Sequence, residues 1–287
     1  MVSRRMCENK DQEVFIVSLH TEWIRYGSEQ VYSGYLAKPE RAADGQPAVV
    51  VLQEIWGVDD HIQDVTRRFA QAGYVAFAPD LYAEHGARRP GLDVPSVEAV
   101  KRFLNEVSPA VWHDASAREA ALSKLPEPDQ TTIRTTFGTL FGGLNLDAYG
   151  DQLISTTDFL RNHYSTTSGQ PIVSVGFCMG GALSAILAAT DEKLAGAAIF
   201  YGRAPSEEQI ANIACPVRGF YGALDDGITS QVPGFAEKMK ENGKSFSYKV
   251  YENAHHAFFN DTRASYNPRA VRAAFAEVLS FFDEVTR

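Results

Sequence analysis

Short runs of consecutive apolar residues recur along most of the chain, separated by stretches in which apolar residues return every three or four positions. Continuous apolar runs are typical of strands that are buried on both faces of a sheet. The helical stretches between them supply the crossovers that parallel strands need. This pattern predicts an α/β fold whose mostly parallel sheet is flanked by helices. The strands expected in this sheet are residues 48–52, 75–78, 172–175, 197–201, 217–221 and 246–251.

Amphipathic spacing predicts the helices that connect these strands. The first spans Asp59 to Gly73, and Gly73 stands where a left-handed C-terminal cap is wanted. Further helices are expected over 146–164, over 181–189 directly after a strand, and over 268–285 at the end of the chain.

Two regions depart from this alternation of strand and helix. Residues 12–37 alternate polar and apolar positions, which predicts an antiparallel hairpin at the sheet edge. Residues 90–145 form a long insertion that contains two helical patterns, over 97–107 and 115–125. An insertion of this length between two strands is more often a functional cap than a plain crossover. We therefore expect one domain over 1–287 with a cap-like insertion.

Composition and charge narrow the class of protein. The 287 residues are 45% hydrophobic and 22% charged, which is typical of a globular protein and excludes a disordered chain. The formal net charge of −9 argues against a nucleic-acid partner. No apolar run approaches the roughly 20 residues that cross a bilayer, and the N-terminal stretch lacks the apolar segment of a signal peptide. We expect no membrane partner and a cytoplasmic location.

The three cysteines are Cys7, Cys178 and Cys215, and their spacing fits neither a disulfide framework nor a metal site. Cys178 is the centre of a G-x-C-x-G string that follows a predicted strand and precedes a helix rich in small residues. This is the setting of a nucleophile elbow. Gly176 and Gly180 would keep side chains away from the neighbouring strand and helix. The alternative is a buried structural cysteine in a glycine-rich turn.

A thiol nucleophile needs a histidine that handles protons and an acid that orients it, in the chain order nucleophile, acid, histidine. Asp225 follows a predicted strand, with Asp226 as the fallback. His256 follows the next strand and precedes a small and then an aromatic residue, so we select it over its neighbour His255. Adjacent histidines diverge, and no second cluster has metal-ligand spacing, so no metal site is expected.

The chain resembles the dienelactone hydrolase family of the α/β-hydrolase fold over about residues 30–285. The motifs that carry the resemblance are 53–57 (QEIWG), 72–82 (AGYVAFAPDLY), 176–181 (GFCMGG), 222–225 (GALD) and 251–258 (YENAHHAF). The resemblance implies a triad of Cys178, His256 and Asp225. Membership would make the protein a hydrolase of carboxylic esters or lactones.

The resemblance also implies a role for Glu54, the acid of the first motif. Its carboxylate would contact the resting thiol, be displaced as substrate arrives and help to form the thiolate. The alternative is a helix-capping or salt-bridged glutamate. The backbone N–H groups of Ile55 and Met179 would form the oxyanion hole.

The chain departs from the family pattern where substrate would bind. Family members that act on dienelactone hold its carboxylate with two arginines, and the corresponding positions here are Glu84 and Asn260. Arg88, Arg89 and Arg263 are candidates to replace them. These departures and the net negative charge weaken the case for an anionic substrate.

Aromatic residues supply the other candidates for substrate contact. Trp56 and Tyr82 lie within the family motifs, and Phe137 belongs to the insertion. Trp112 and Phe141, also in the insertion, are possible wall residues. For the residues of the insertion, the alternative is a place in the core of a helical hairpin.

Taken together, these features predict a cysteine-dependent hydrolase that cleaves small esters or lactones through a thioester acyl-enzyme, with no metal or organic cofactor. The alternatives are a thiol redox enzyme that uses Cys178, and a noncatalytic ligand-binding relative of the hydrolases. The oligomeric state stays open.

Overall fold

An eight-stranded sheet forms the centre of the molecule in a computed structural model, which describes residues 18–112 and 114–287. Across the sheet the strand order is β1-β2-β4-β3-β7-β8-β9-β10, and two short strands, β5 and β6, pair separately. The strands are β1 (Leu19–Tyr26), β2 (Tyr32–Pro39), β3 (Ala48–Leu52), β4 (Val75–Pro79), β5 (Ala83–Glu84), β6 (Ala87–Arg88), β7 (Ile172–Phe177), β8 (Gly196–Phe200), β9 (Val217–Gly222) and β10 (Phe246–Tyr251).

The sheet is parallel apart from its first two strands. β1 pairs antiparallel with β2, and β2 pairs antiparallel with β4. Every residue of β3, β4, β7 and β8 is buried, as the continuous apolar runs predict. The hairpin predicted at residues 12–37 is thus present from residue 19 onward, and residues 12–17, like Cys7, lie outside the described residues. The predicted fold class is confirmed.

Helices cover both faces of this sheet. They are α1 (Asp60–Gln71), α2 (Val94–Glu106), α3 (Ala115–Leu122), α4 (Glu127–Gly142), α5 (Gly150–Asp158), α6 (Met179–Thr190), α7 (Glu207–Asn212), α8 (Asp226–Thr229), α9 (Val232–Glu241) and α10 (Pro268–Val285). Local capping sets several of their ends. Asp59 accepts a hydrogen bond from the Ile62 N–H at the start of α1, and Gly73 follows its end with φ +102°.

The two faces of the sheet bury separate cores because successive strand residues point to opposite sides. Val50 and Leu52 of β3 face a core that includes apolar residues of α2, α4, α6 and α9. Val49 and Val51 face a second core, which is built with α1 and α10. The sheet is therefore held from both sides, and the loops at its ends rest on a rigid support.

Two predicted elements differ from those observed. The helix expected over 146–164 is divided into a short 3-10 turn (Leu146–Tyr149), α5, and one wide π-helical turn (Phe159–His163). Asn145 caps the 3-10 turn by accepting from the Asp147 N–H, and the wide turn ends where the Tyr164 N–H reaches the Phe159 carbonyl.

The insertion at 90–145 contains α2, α3 and α4. Phe137 and Phe141 lie in α4, a helix that the sequence pattern does not indicate. Pro128 stands in the first turn of α4, where a missing N–H costs nothing, and a new helix therefore begins shortly after the pattern at 115–125 ends. Whether the insertion acts as a cap stays a prediction.

Within residues 18–112 and 114–287, no helix is both long and apolar enough to cross a bilayer. The cytoplasmic location expected from the sequence stays a prediction.

Candidate active site

Side chains that can take part in a reaction follow five neighbouring strands at one edge of the sheet. Glu54 follows β3, Cys178 follows β7, Tyr201 follows β8, Asp225 follows β9 and His256 follows β10. The carboxyl ends of parallel strands lie along the same edge, so the topology brings these residues into one place.

Cys178 occupies a sharp turn between β7 and α6. Its backbone has φ +54° and ψ −113°, a conformation that L residues rarely adopt. A Cβ atom on Gly176 would lie 1.7 Å from the Gly180 carbonyl oxygen, and one on Gly180 would lie 2.2 Å from the Leu52 carbonyl oxygen. The two glycines therefore allow the strand, the turn and the helix to meet with Cys178 at the apex.

His256 and Asp225 meet across the ends of β9 and β10. The Nδ1 atom of His256 lies 2.6 Å from Oδ2 of Asp225. Asp226 starts α8 instead, and His255 is exposed. Backbone bonds join the two loops, because the Leu224 N–H donates to the Ala254 carbonyl.

The environment of His256 favours its charged form. Burial pulls its pKa down, but the hydrogen bond to Asp225 and the interaction with Cys178 act more strongly and raise the pKa to about 10. With Nδ1 engaged by Asp225, Nε2 is the ring nitrogen left to meet the thiol. An imidazolium stabilises a neighbouring thiolate.

Glu54 is buried on the floor of the site, with 3% of its surface exposed. Its Oε1 accepts a hydrogen bond from the Tyr201 hydroxyl at 3.1 Å, and its Oε2 accepts one from the Asn260 amide at 2.7 Å. Both carboxylate oxygens thus have donors other than the thiol, and Cys178 interacts with His256. The contact of Glu54 with the resting thiol stays a prediction.

Tyr201 links the two halves of the site, and sequence reasoning missed it. Its hydroxyl binds Glu54, and its ring lies edge to face with the His256 ring at 5.1 Å between centroids. Burial and the neighbouring Glu54 and Cys178 raise its pKa well above the usual value. The sequence pattern places residue 201 inside a strand, whereas its φ of +40° turns it out of β8. A tyrosine at the carboxyl end of a buried strand is the sequence feature that could have marked Tyr201 as a site residue.

A cavity of about 710 Å³ opens above Cys178 and His256, a volume typical of small-molecule sites. Part of its wall comes from the insertion, and most of that part is apolar. The residues from the insertion that line it are Trp112, Leu140, Phe141, Gly142, Gly143 and Leu144.

The two residues predicted to form the oxyanion hole line this cavity beside Cys178. Met179 is the first residue of α6, and the first N–H groups of a helix have no acceptor inside it. Tyr82 lies beneath them, fully buried, and its hydroxyl donates to the Ile55 carbonyl at 2.7 Å. Tyr82 therefore positions the Ile55 peptide, and the cavity wall does not include it.

Three more of the predicted substrate contacts are placed differently. Glu84 is exposed in the small hairpin of β5 and β6, outside the cavity wall. Asn260 is fully buried, and its amide donates a hydrogen bond to Glu54. Phe137 does not line the cavity and packs between the Arg118 guanidinium at 4.1 Å and the Phe141 ring at 4.6 Å, whereas Trp56 does line the cavity.

Two arginines line the cavity, Arg203 and Arg263. Arg263 is one of the three candidates that the sequence offers, and sequence reasoning missed Arg203. Of the other two candidates, Arg88 is paired with Asp80 at 2.7 Å, and neither Arg88 nor Arg89 lines this cavity. Burial lowers the pKa of Arg263, while Glu54 and Asp59 oppose the shift.

Among the described residues, no group of three or more histidine, cysteine, aspartate or glutamate side chains is placed to hold a metal ion.

A strained cysteine at the end of a central strand, with a histidine and an acid at the ends of later strands, belongs to the α/β-hydrolase class. Comparison with known proteins defines the family. Residues 32–286 match the dienelactone hydrolase family. The chain is 33% identical over 254 residues to the "putative carboxymethylenebutenolidase" of Saccharolobus solfataricus. The aligned residues cover 88% of this chain and 94% of that relative.

Further comparisons agree with this assignment. A protein of the same description from Yersinia pestis is 26% identical over 284 residues, 93% of this chain and 91% of the relative. The crystal structure of a "putative dienelactone hydrolase" from Klebsiella pneumoniae has a TM-score of 0.70 at 25% identity and covers 93% of this chain and 99% of its own. The chain belongs to the dienelactone hydrolase family, and this membership makes it a carboxylic ester hydrolase.

Proposed function

We propose that this protein hydrolyses small carboxylic esters or lactones through a thioester formed on Cys178. The observation that carries the proposal is the array of Cys178, His256 and Asp225 beneath one cavity, with 2.6 Å between His256 and Asp225. The raised pKa of His256 supports a resting pair of thiolate and imidazolium.

In the first half of the reaction, the Cys178 thiolate attacks the carbonyl carbon of the substrate. The oxyanion that develops accepts hydrogen bonds from the N–H groups of Ile55 and Met179. As the bond between the carbonyl carbon and the alcohol oxygen breaks, Nε2 of His256 donates its proton to that oxygen. The products are an alcohol and a thioester on Cys178.

In the second half, a water molecule attacks the thioester. Nε2 of His256, now neutral, accepts a proton from the water, and the same two N–H groups hold the second oxyanion. The bond between carbon and sulfur then breaks, and the carboxylic acid leaves. The thiolate and the imidazolium are restored, while Asp225 stays ionised and keeps the ring oriented throughout.

We assign the thiol proton to His256 and give Glu54 a positioning role. Tyr201 and Asn260 each donate to one of its oxygens, so the carboxylate is held as a fixed anchor for the Tyr201 ring that packs on His256. Groups that are pinned in this way lose little freedom when substrate binds.

Thiol chemistry favours substrates with good leaving groups. A tetrahedral intermediate on sulfur tends to expel the thiolate unless the competing leaving group is at least as good. Activated esters and enol lactones are therefore the expected substrates, rather than amides.

The proposal is tested by the hydrolysis of p-nitrophenyl acetate by Cys178→Ala, with Cys215→Ala as the matched control. Cys215 is also a free cysteine, but it lies buried in the core. We expect loss of turnover in the first variant only. Unchanged turnover in Cys178→Ala would contradict the mechanism. Rapid peroxide reduction without ester hydrolysis would favour the redox alternative, and ester binding that is never followed by turnover would favour the noncatalytic one.

A further inference from the structure

Three aromatic side chains form a block in the wall of the catalytic cavity. Trp56 and Trp112 lie edge to face at 6.3 Å and 86°. Phe141 contacts both, at 5.9 Å and 69° from Trp56 and at 6.1 Å and 74° from Trp112. Trp112 and Phe141 come from the insertion, whereas Trp56 follows β3.

A guanidinium that also lines the cavity packs against the aromatic block. The Arg263 guanidinium lies 5.2 Å from the centroid of the Trp56 ring and 5.1 Å from that of the Trp112 ring. Cation–π contacts of this kind fix two flat side chains relative to each other. The three rings and the guanidinium thus form one contiguous packed cluster.

Part of the block stays uncovered in the cavity. Phe141 leaves 41% of its surface exposed, although Trp56 is almost completely buried. The wall continues the apolar surface through Leu140, Leu144 and Leu146. A large exposed aromatic face that continues into an apolar cavity wall is typical of a ligand contact.

We infer that Trp56, Trp112 and Phe141 form a subsite for an aromatic ring of the ester substrate, carried on either the acyl or the alcohol side of the scissile bond. The inference rests on the proposed function, because Cys178 lines the same cavity. Aromatic rings prefer edge-to-face and offset contacts with one another, and a saturated ring of similar size makes no such contact.

The test compares esters that differ only in whether their six-membered ring is aromatic. The esters are enol esters, which have the good leaving group that a thiol nucleophile needs. The acyl arm uses vinyl 3-phenylpropanoate against vinyl 3-cyclohexylpropanoate, and the alcohol arm uses 4-phenylbut-1-enyl acetate against 4-cyclohexylbut-1-enyl acetate. The ring is remote from the carbonyl in all four esters, so the intrinsic reactivity within a pair is nearly equal. Hydrolysis is followed by pH-stat titration. We expect kcat/KM to favour the phenyl ester by about 3- to 10-fold in one of the arms.

Trp112→Leu and Phe141→Leu remove the aromatic faces while keeping apolar volume, and Phe103→Leu is the matched control. Phe103 lies in α2 of the same insertion, buried and outside the cavity wall, whereas Phe137 is unsuitable because its ring contacts Phe141 at 4.6 Å. We expect the phenyl preference to fall below about 2-fold in the first two variants and to persist in the control. Phe141 is partly exposed, so its replacement is expected to leave the fold intact even where that of Trp112 does not.

The absence of a phenyl preference in both arms would overturn the inference. So would a preference that survives Trp112→Leu and Phe141→Leu, or one that Phe103→Leu removes equally. These results differ from a failure of the proposed function, in which none of the four esters is hydrolysed or Cys178→Ala remains active.

Discussion

The floor and the outer wall of the catalytic cavity are built in opposite ways. At the floor, β3, β7 and α6 meet so closely that a Cβ on Gly176 or Gly180 would overlap backbone atoms. At the wall, a Cβ on Gly142, the last residue of α4, would have no neighbour within 4 Å. The reacting atoms thus rest on backbone contacts that hardly tolerate change, whereas the wall leaves room for a larger side chain at Gly142.

The largest effect is expected from Gly176→Ala at the floor. Its Cβ would lie 1.7 Å from the Gly180 carbonyl oxygen, and neither backbone segment can move without displacing Cys178. We expect the free energy of unfolding to fall by more than about 4 kcal/mol, measured by urea denaturation. A loss of less than about 1 kcal/mol would show that the elbow is not as tightly constrained as the floor geometry requires.

Asp225→Asn is expected to lower kcat/KM for p-nitrophenyl acetate by roughly 10²- to 10⁴-fold, because the imidazole loses the acid that orients it. The variant should also alter the pH profile. The hydrogen bond to Asp225 helps to raise the pKa of His256 to about 10, so its removal moves the alkaline limb of the rate profile to lower pH.

The same pKa shift sets the sign of a stability effect. A histidine whose pKa rises from 6.5 to about 10 on folding contributes stability that is complete below pH 6.5 and is lost as the pH rises through about 10. The unchanged protein should lose more stability over that window than Asp225→Asn. An alkaline limb and a stability curve that both stay in place would exclude the pairing of His256 with Asp225.

Tyr201→Phe is expected to lower the free energy of unfolding by about 1–3 kcal/mol, because buried Glu54 would lose one of its two donors. Turnover should fall as well, since the Tyr201 ring packs on His256. Tyr248→Phe is the matched control, since Tyr248 lies exposed on β10. Equal behaviour of the two variants in denaturation and in turnover would remove the positioning role from Tyr201.

The smallest effect is expected from Gly138→Ala in α4, the helix that carries Phe141, at a position outside the cavity wall. Gly138 is an exposed interior residue of α4, and alanine is the better helix former by about 0.8–1 kcal/mol. We expect stability to rise by up to that amount and ester hydrolysis to stay unchanged. A destabilised variant would show that α4 is packed more tightly than the open space around Gly138 indicates.

The floor could be predicted from the sequence because its constraints are local. A buried strand followed by a glycine, a cysteine, a spacer and a glycine specifies the turn at Cys178, and the order of strands indicates where Asp225 and His256 meet. The steric reason given for Gly176 and Gly180 agrees with the close approaches in the structure.

The partners of Glu54 could not be predicted in this way. They depend on side chains that meet across the fold, namely Tyr201 after β8 and Asn260 beyond β10. The family resemblance suggests that residue 260 contacts the substrate, whereas the Asn260 amide donates to Glu54 within the protein. The residues of the cavity wall could not be predicted either, because the sequence of α4 is only weakly amphipathic. The packing of α4 in the fold decides that Phe141, and not Phe137, lines the cavity.

The central claim is that a thioester forms on Cys178, and one measurement tests it most directly. The protein is mixed with p-nitrophenyl acetate, quenched in acid during turnover and digested, and the peptides are mapped by mass spectrometry. The account predicts an acetyl group on Cys178 during turnover and none after the substrate is exhausted. Acetylation at another residue, or full turnover with Cys178 never modified, would contradict it.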